Sequence, residues 1–106
     1  MKFSCPHYNM KLTDLEPQLL RLTGRTINPT NTLIDAQGVR FLCPTCIDNP
    51  HLIVCWFADR GVPPDAMPGP GRWRVSGYDV VDITITPSIR SSACGWQGLV
   101  TDGEVN

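Results

Sequence analysis

Two cysteines separated by two residues are the clearest chemical motif in this sequence. Cys43-Pro44-Thr45-Cys46 has the spacing at which two thiolates bind one Zn²⁺ at about 2.3 Å each, while backbone amides of the turn support the sulfurs. A thioredoxin-like redox motif would need a helix directly after it. The sequence that follows, Ile-Asp-Asn-Pro at 47–50, is typical of a loop. The motif therefore favours metal binding over redox chemistry, and buried thiols without a metal are the remaining alternative.

Tetrahedral structural zinc requires two more ligands, and two residues are suitable for them. His51 begins the most apolar segment of the chain, and Cys94 lies in a glycine-containing turn before the last predicted strands. The alternatives are a surface histidine at 51 and a buried cysteine at 94. We predict one closed structural zinc site whose ligands are Cys43, Cys46, His51 and Cys94.

The remaining cysteines and histidine differ in their suitability as ligands. Cys55 lies in the middle of a predicted strand, and the four residues that separate it from His51 span about 13 Å when extended. This distance is too long for one compact site, so we predict that Cys55 is a core thiol. Cys5 and His7 form a Cys-x-His pair that would supply an alternative ligand if the N-terminal segment folds back.

Short strands are the elements that would position these ligands. Alternating and β-branched residues predict strands at 39–42, 51–58, 72–75 and 82–86. Asp102-Gly103 predicts a tight hairpin between 99–101 and 104–105. The proline-rich segment 60–71 is predicted to be a loop, and 25–35 a loop with a short extended piece at 33–34.

The N-terminal part of the chain predicts a short helix over about residues 13–23. Thr13 and Glu16 have the spacing of a capping box, and Leu15, Leu19 and Leu22 would share one helical face. Gly24 would end the helix. The predicted fold is mainly β, a small antiparallel zinc-ribbon-like sheet with this short helix, in a single domain over 1–106 whose β and zinc core begins near residue 38.

Composition narrows the class of protein. The chain has 106 residues, which fits one domain, and its net charge of −1 argues against nucleic-acid binding. Its apolar runs are shorter than the roughly 20 residues that span a bilayer, and the N-terminus lacks the apolar region of a secretory signal. We therefore expect a cytosolic protein without a membrane partner, in which the five cysteines are metal ligands or buried thiols rather than disulfides.

Several separated motifs occur in a fixed order through the chain. They are Phe41-Leu42-Cys43-Pro44-Thr45-Cys46, then His51 with the apolar segment 52–57, Gly69-Pro70-Gly71-Arg72-Trp73-Arg74, Thr86-Pro87-Ser88-Ile89, and the segment 94–105 that begins Cys94-Gly95-Trp96-Gln97-Gly98. In this order they resemble a family of small phage and prophage proteins of unknown function, and 10–36 is similar more loosely. The resemblance implies a phage-encoded or prophage-encoded protein but no activity.

One position departs from that family pattern. Relatives often have histidine where this chain has Gln97. In those relatives the histidine either lies near the metal without binding it or takes part in catalysis. Otherwise it is a ligand there, and Cys5 or His7 replaces it here.

The motifs favour a binding protein over an enzyme. A site with four protein ligands has no open position for water, and the sequence contains neither the His-x-Glu of zinc deaminases nor the His-Glu-x-x-His of zinc proteases. We expect a zinc-binding accessory protein that binds a host or defence protein and inhibits it; the alternative is a virion accessory such as a capsid decoration or tail component. Either would lie in the host cytoplasm or the virion, and homo-oligomers fit both. Val62, Met67 and Trp96 are the candidate interface residues.

Overall fold

The computed structural model describes residues 10–46, 48–68, 71–91 and 93–106, and these residues form a mainly β fold. Two short 3-10 helices lie at Leu12–Leu15 and Leu33–Asp35. The strands are β1 (Met10–Lys11), β2 (Gln18–Thr23), β3 (Thr26–Thr30), β4 (Gly38–Leu42), β5 (Leu52–Trp56), β6 (Arg74–Ser76), β7 (Thr84–Arg90), β8 (Gln97–Thr101) and β9 (Glu104–Val105).

The strands form two antiparallel sheets rather than the single small sheet that was predicted. One sheet has five strands in the order β1-β9-β8-β7-β6, and the other has four in the order β3-β2-β4-β5. The sheets meet where Phe57, just after β5, makes a parallel bridge with Trp73, just before β6. The mainly β class is therefore confirmed. No described helix is long and apolar enough to cross a membrane.

The predicted N-terminal helix over 13–23 is wrong. Only one 3-10 turn forms, and at its start the Asp14 carboxylate accepts the backbone N–H of Lys11 at 3.3 Å. The turn ends at Glu16, which has a left-handed φ of 52°. Pro17 explains this end, because a proline disfavours the right-handed helical conformation of the residue before it.

The remainder of the predicted helix is strand β2, which lies inside the four-stranded sheet. It pairs with β3 through the register Leu22↔Ile27 and with β4 through Leu19↔Val39. Gly24 (φ 62°) belongs to the two-residue turn between β2 and β3 and does not cap a helix. Pairing on both edges of β2 thus outweighs a leucine spacing that an isolated helix would also satisfy.

One buried cluster of apolar side chains joins the two sheets. The four-stranded sheet contributes Val39, Phe41 and Cys55, each 0% exposed. The five-stranded sheet contributes Ile85, Ile89 and Val100, also 0% exposed. The predicted core position of Cys55 is confirmed.

The predicted strands before and after the cysteine motif are confirmed as β4 and β5. The Asp102-Gly103 hairpin is also confirmed, because Thr101 pairs with Glu104 across it and both turn residues have positive φ. The segment predicted to be a loop at 25–35 instead contains β3 and the second 3-10 helix.

Candidate metal centre

The four predicted ligands converge at one end of the fold. Cys43 and Cys46 follow β4, His51 precedes β5, and Cys94 lies between β7 and β8. One ligand atom from each of these residues lies within 4.8 Å of all the others. The Sγ atoms of Cys43 and Cys94 are 3.6 Å apart. The four side chains could therefore hold one metal ion between the two sheets.

The ladder between β4 and β5 positions two of these ligands. The backbone N–H of Cys43 donates to the carbonyl oxygen of His51 at 3.0 Å, so the ladder continues one pair beyond the strands. The connection between β4 and β5 carries Cys46 and is closed by this pair. The Thr45 hydroxyl also lies 3.5 Å from the Cys43 sulfur. A strand pair fixed by its own register thus holds His51 and Cys43 side by side.

A tight turn in the other sheet presents Cys94. The Ser91 N–H donates to the Trp96 carbonyl at 2.7 Å, and the Gly95 N–H donates to the Ser91 carbonyl at 2.8 Å. Gly95 has a φ of 82°, a left-handed conformation that glycine adopts without a steric penalty. The glycine next to Cys94 therefore allows the turn that directs this cysteine toward the cluster.

Backbone and hydroxyl groups favour the thiolate form of Cys94. Hydrogen bonds from the Trp96 backbone N–H, and next from the Ser91 side chain, lower the pKa of Cys94 to about 6, and contacts with His51 and Cys46 act in the same direction. Amide hydrogen bonds of this kind support the sulfur of a metal-binding turn. The sequence did not predict the role of Ser91, and its only signal is a serine three residues before a cysteine in a glycine-containing turn.

The pKa of Cys46 is shifted in the opposite direction. Its contact with Cys94, then burial and its contact with Cys43, raise the pKa of Cys46 to about 11. The largest cause is the hydrogen bond with Cys94, because a hydrogen bond that Cys46 donates as a neutral thiol favours its protonated form. A divalent cation would reverse this effect, since a coordinating thiol is deprotonated.

His51 completes the donor set with an imidazole nitrogen. Its Nε2 atom is buried and has no hydrogen-bond partner among the described residues. A buried polar atom without a partner is unfavourable, and a metal ion would be one partner for it. Three thiols and one imidazole form a sulfur-rich set of the type that structural zinc sites use.

The other predicted candidates lie elsewhere. Cys55 is in the core and is not among the four converging ligands. Gln97 is exposed at the start of β8, where its Nε2 donates to the Ser88 hydroxyl at 3.3 Å. The Gln97 side chain therefore makes its hydrogen bond outside the cluster. Cys5 and His7 lie outside the described residues.

The three candidate interface residues differ in exposure. Met67 is 75% exposed, whereas Val62 is half-buried. Trp96 is also half-buried and contacts Phe41 edge-to-face, with ring centroids 6.5 Å apart. Trp96 therefore contributes to the packing beside the metal centre, and Met67 is the most accessible of the three.

Comparisons with family models, curated proteins and solved structures found no match to this chain. The resemblance to phage proteins stays a prediction.

Proposed function

We propose that the four-residue cluster binds one Zn²⁺ ion with a structural role. The observation that carries this proposal is the convergence of three sulfurs and one imidazole nitrogen within 4.8 Å. This donor set is one of the common sets of structural zinc, and calcium and magnesium prefer oxygen ligands. Two ligand-bearing turns, one after β4 and one between β7 and β8, would give the site the zinc-ribbon-like arrangement expected from the sequence.

The proposed role of the ion is to fasten the two sheets together. Cys43, Cys46 and His51 belong to the β4–β5 connection of the four-stranded sheet, and Cys94 to the β7–β8 connection of the five-stranded sheet. A metal ion bound by residues of both connections would add its binding free energy to the stability of the fold. The cluster contains no carboxylate that would act as a base, and four protein ligands close the site to water. We therefore infer that the metal is not catalytic.

We further propose that the protein acts by binding another protein. Several large apolar side chains are exposed on the fold, among them Ile34 (85%), Met67 (75%) and Val81 (67%). On the resemblance to phage proteins, the proposed partner is a host or defence protein, which this protein would inhibit. A virion accessory role is the alternative, and it rests on the same resemblance.

Two experiments test the proposal. Metal analysis of the purified wild-type protein and of Cys43→Ala is expected to give one zinc per chain in the wild type and less than half of that in the variant. Wild-type protein that is folded and free of metal would refute the structural role. Affinity purification from phage-infected cells, with Met67→Asp as a surface variant, would separate the two binding roles, since recovery of phage structural proteins alone would reject the inhibitor hypothesis.

A further inference from the structure

Strand β5 has an unpaired edge beside the metal centre. The Cys43 N–H donates to the His51 carbonyl, and the Phe57 N–H donates to the Gln37 carbonyl. In an antiparallel pair, hydrogen-bonded residues alternate along the strand. Residues 51, 53, 55 and 57 therefore direct their backbone groups toward β4.

The even-numbered residues of β5 direct their backbone groups to the opposite side. At the end of the strand these groups are used, because the Trp56 carbonyl accepts the Trp73 N–H at 3.0 Å and the Ala58 N–H donates to the Trp73 carbonyl at 2.6 Å. No strand pairs with this edge at Leu52 and Val54 in the described part of the chain. Two N–H and two C=O groups on alternate residues are thus available to an added strand.

The other sheet edges are protected in ways that this one is not. Strand β3, at the opposite edge of the same sheet, contains Pro29, which has no N–H to donate. In the five-stranded sheet, β6 has only three residues and β1 only two. Short edges and prolines discourage strand addition, whereas Leu-Ile-Val at 52–54 is apolar and carries neither proline nor charge.

A groove of about 420 Å³ runs along the free edge of β5. Residues 52–54, Pro68 and Trp73 line it together with Arg90, and none of its described lining residues is acidic. Arg90 is exposed, and its guanidinium makes no ion pair with a described residue. Over its described lining residues, the groove therefore combines an open strand edge, apolar side chains and the positive charge of Arg90.

We propose that this groove binds an extended peptide segment of a partner protein, which adds as a strand to β5 and places an acidic side chain at Arg90. Main-chain hydrogen bonds to an open sheet edge are an established mode of peptide recognition. The positive charge of Arg90, together with the lack of acidic side chains among the described lining residues, favours a peptide with a carboxylate. The inference deepens the proposed protein-binding role and rests on it.

The protein variants follow from the alternation of hydrogen bonds along β5. Val54→Pro removes an N–H that faces the groove and leaves the ladder with β4 intact, because Val54 and Arg40 form a non-hydrogen-bonded pair. Val54→Thr is the matched control, since it retains the N–H and the branched shape. Arg90→Glu inverts the charge in the groove, and Arg25→Glu makes the same change outside its lining residues.

The probes are fluorescein-labelled hexapeptides in which valine alternates with glutamate, glutamine or lysine, and binding is measured by fluorescence anisotropy. The glutamate peptide is expected to bind more tightly than the glutamine peptide, and the lysine peptide most weakly. Arg90→Glu should invert this order, while Arg25→Glu should preserve it. Val54→Pro is expected to weaken binding by roughly three- to tenfold relative to Val54→Thr, the range that corresponds to one lost hydrogen bond.

A glutamate peptide N-methylated at alternate amides tests strand addition even if Val54→Pro does not fold. It should bind at least about threefold more weakly than the unmethylated peptide. Equal binding of the two peptides, no binding of any peptide at millimolar concentration, or a charge order that Arg90→Glu leaves unchanged would overturn the proposal. If the wild-type protein self-associates and Val54→Pro abolishes this, the edge binds a second copy of the chain, and the proposal would also be overturned. A partner still captured by Val54→Pro would reject this groove and leave the protein-binding role in place.

Discussion

Cys94→Ala and Cys55→Ala should differ in stability, and the less stable of the two variants should be Cys94→Ala with zinc and Cys55→Ala without it. Cys94 is exposed and belongs to the cluster of four converging residues, whereas Cys55 is fully buried and does not. Cys94→Ala should therefore act through the metal, and Cys55→Ala through the core. Each variant serves as the matched control of the other, because both lose one thiol.

The structure sets the expected magnitudes. Cys55→Ala removes one buried sulfur atom, a deletion similar to Ile→Val, and should cost about 1 kcal/mol with or without zinc. Without zinc, Cys94→Ala changes an exposed side chain and should lower the free energy of unfolding less than Cys55→Ala does. With free zinc at about 1,000 times the wild-type Kd, the wild type gains about 4 kcal/mol from binding. Cys94→Ala should lose most of that gain.

Urea unfolding of the wild type and both variants, in buffered zinc and after removal of the metal by a chelator, measures these differences. Cys94→Ala is expected to be the less stable variant in zinc and the more stable one without it. If Cys94→Ala were no less stable than Cys55→Ala in zinc, Cys94 would not contribute a metal ligand that stabilises the fold.

Three further predictions concern the packing and charges of the fold. Asp82 accepts hydrogen bonds from the backbone N–H groups of 78–79, which lower its pKa. Its contribution to stability should therefore be present at neutral pH and lost as the pH falls below about 4. The difference in urea unfolding between wild type and Asp82→Asn should shrink on acidification, and a constant difference would contradict this. Gly38→Ala would place a Cβ 2.6 Å from Cε3 of Trp56 and should destabilise the fold by about 1–3 kcal/mol; an unchanged thermal midpoint would refute this contact. Burial raises the pKa of Cys55 to about 12, so iodoacetamide at pH 8 should leave Cys55 unmodified in the folded protein. Mass spectrometry would map the modified cysteines, and rapid modification of Cys55 without unfolding would place it outside the core.

The sequence predicted which four residues lie together because each of them lies beside a local signal. Cys43 and Cys46 share one turn, His51 begins an apolar strand, and Cys94 adjoins a glycine. The pairing of β4 with β5 then brings 43 opposite 51. Local turn chemistry and strand pattern were sufficient to predict that these side chains lie close together.

The N-terminal element could not be predicted in the same way. Leu15, Leu19 and Leu22 fit a helical spacing, but Leu20 is also buried and the chain is a central strand. Pairing with β3 and β4 supplies backbone hydrogen bonds on both sides, a long-range effect that a local pattern does not contain. The position of Pro17 was the available signal, because it restricts the residue before it.

The division into two sheets also lies beyond local pattern. It depends on the Phe57–Trp73 bridge and on pairings between strands that are not consecutive in the chain, such as β1 with β9 and β2 with β4. The free edge of β5 follows from that pairing, so the groove beside it had no counterpart in the sequence.

X-ray absorption spectroscopy at the zinc edge, combined with metal quantification on the purified protein, tests the metal centre most directly. The four-ligand site predicts one zinc per chain with three sulfur neighbours at about 2.3 Å and one nitrogen neighbour at about 2.0 Å. Folded protein without zinc, or a first coordination shell made mainly of oxygen, would contradict a zinc site formed by Cys43, Cys46, His51 and Cys94.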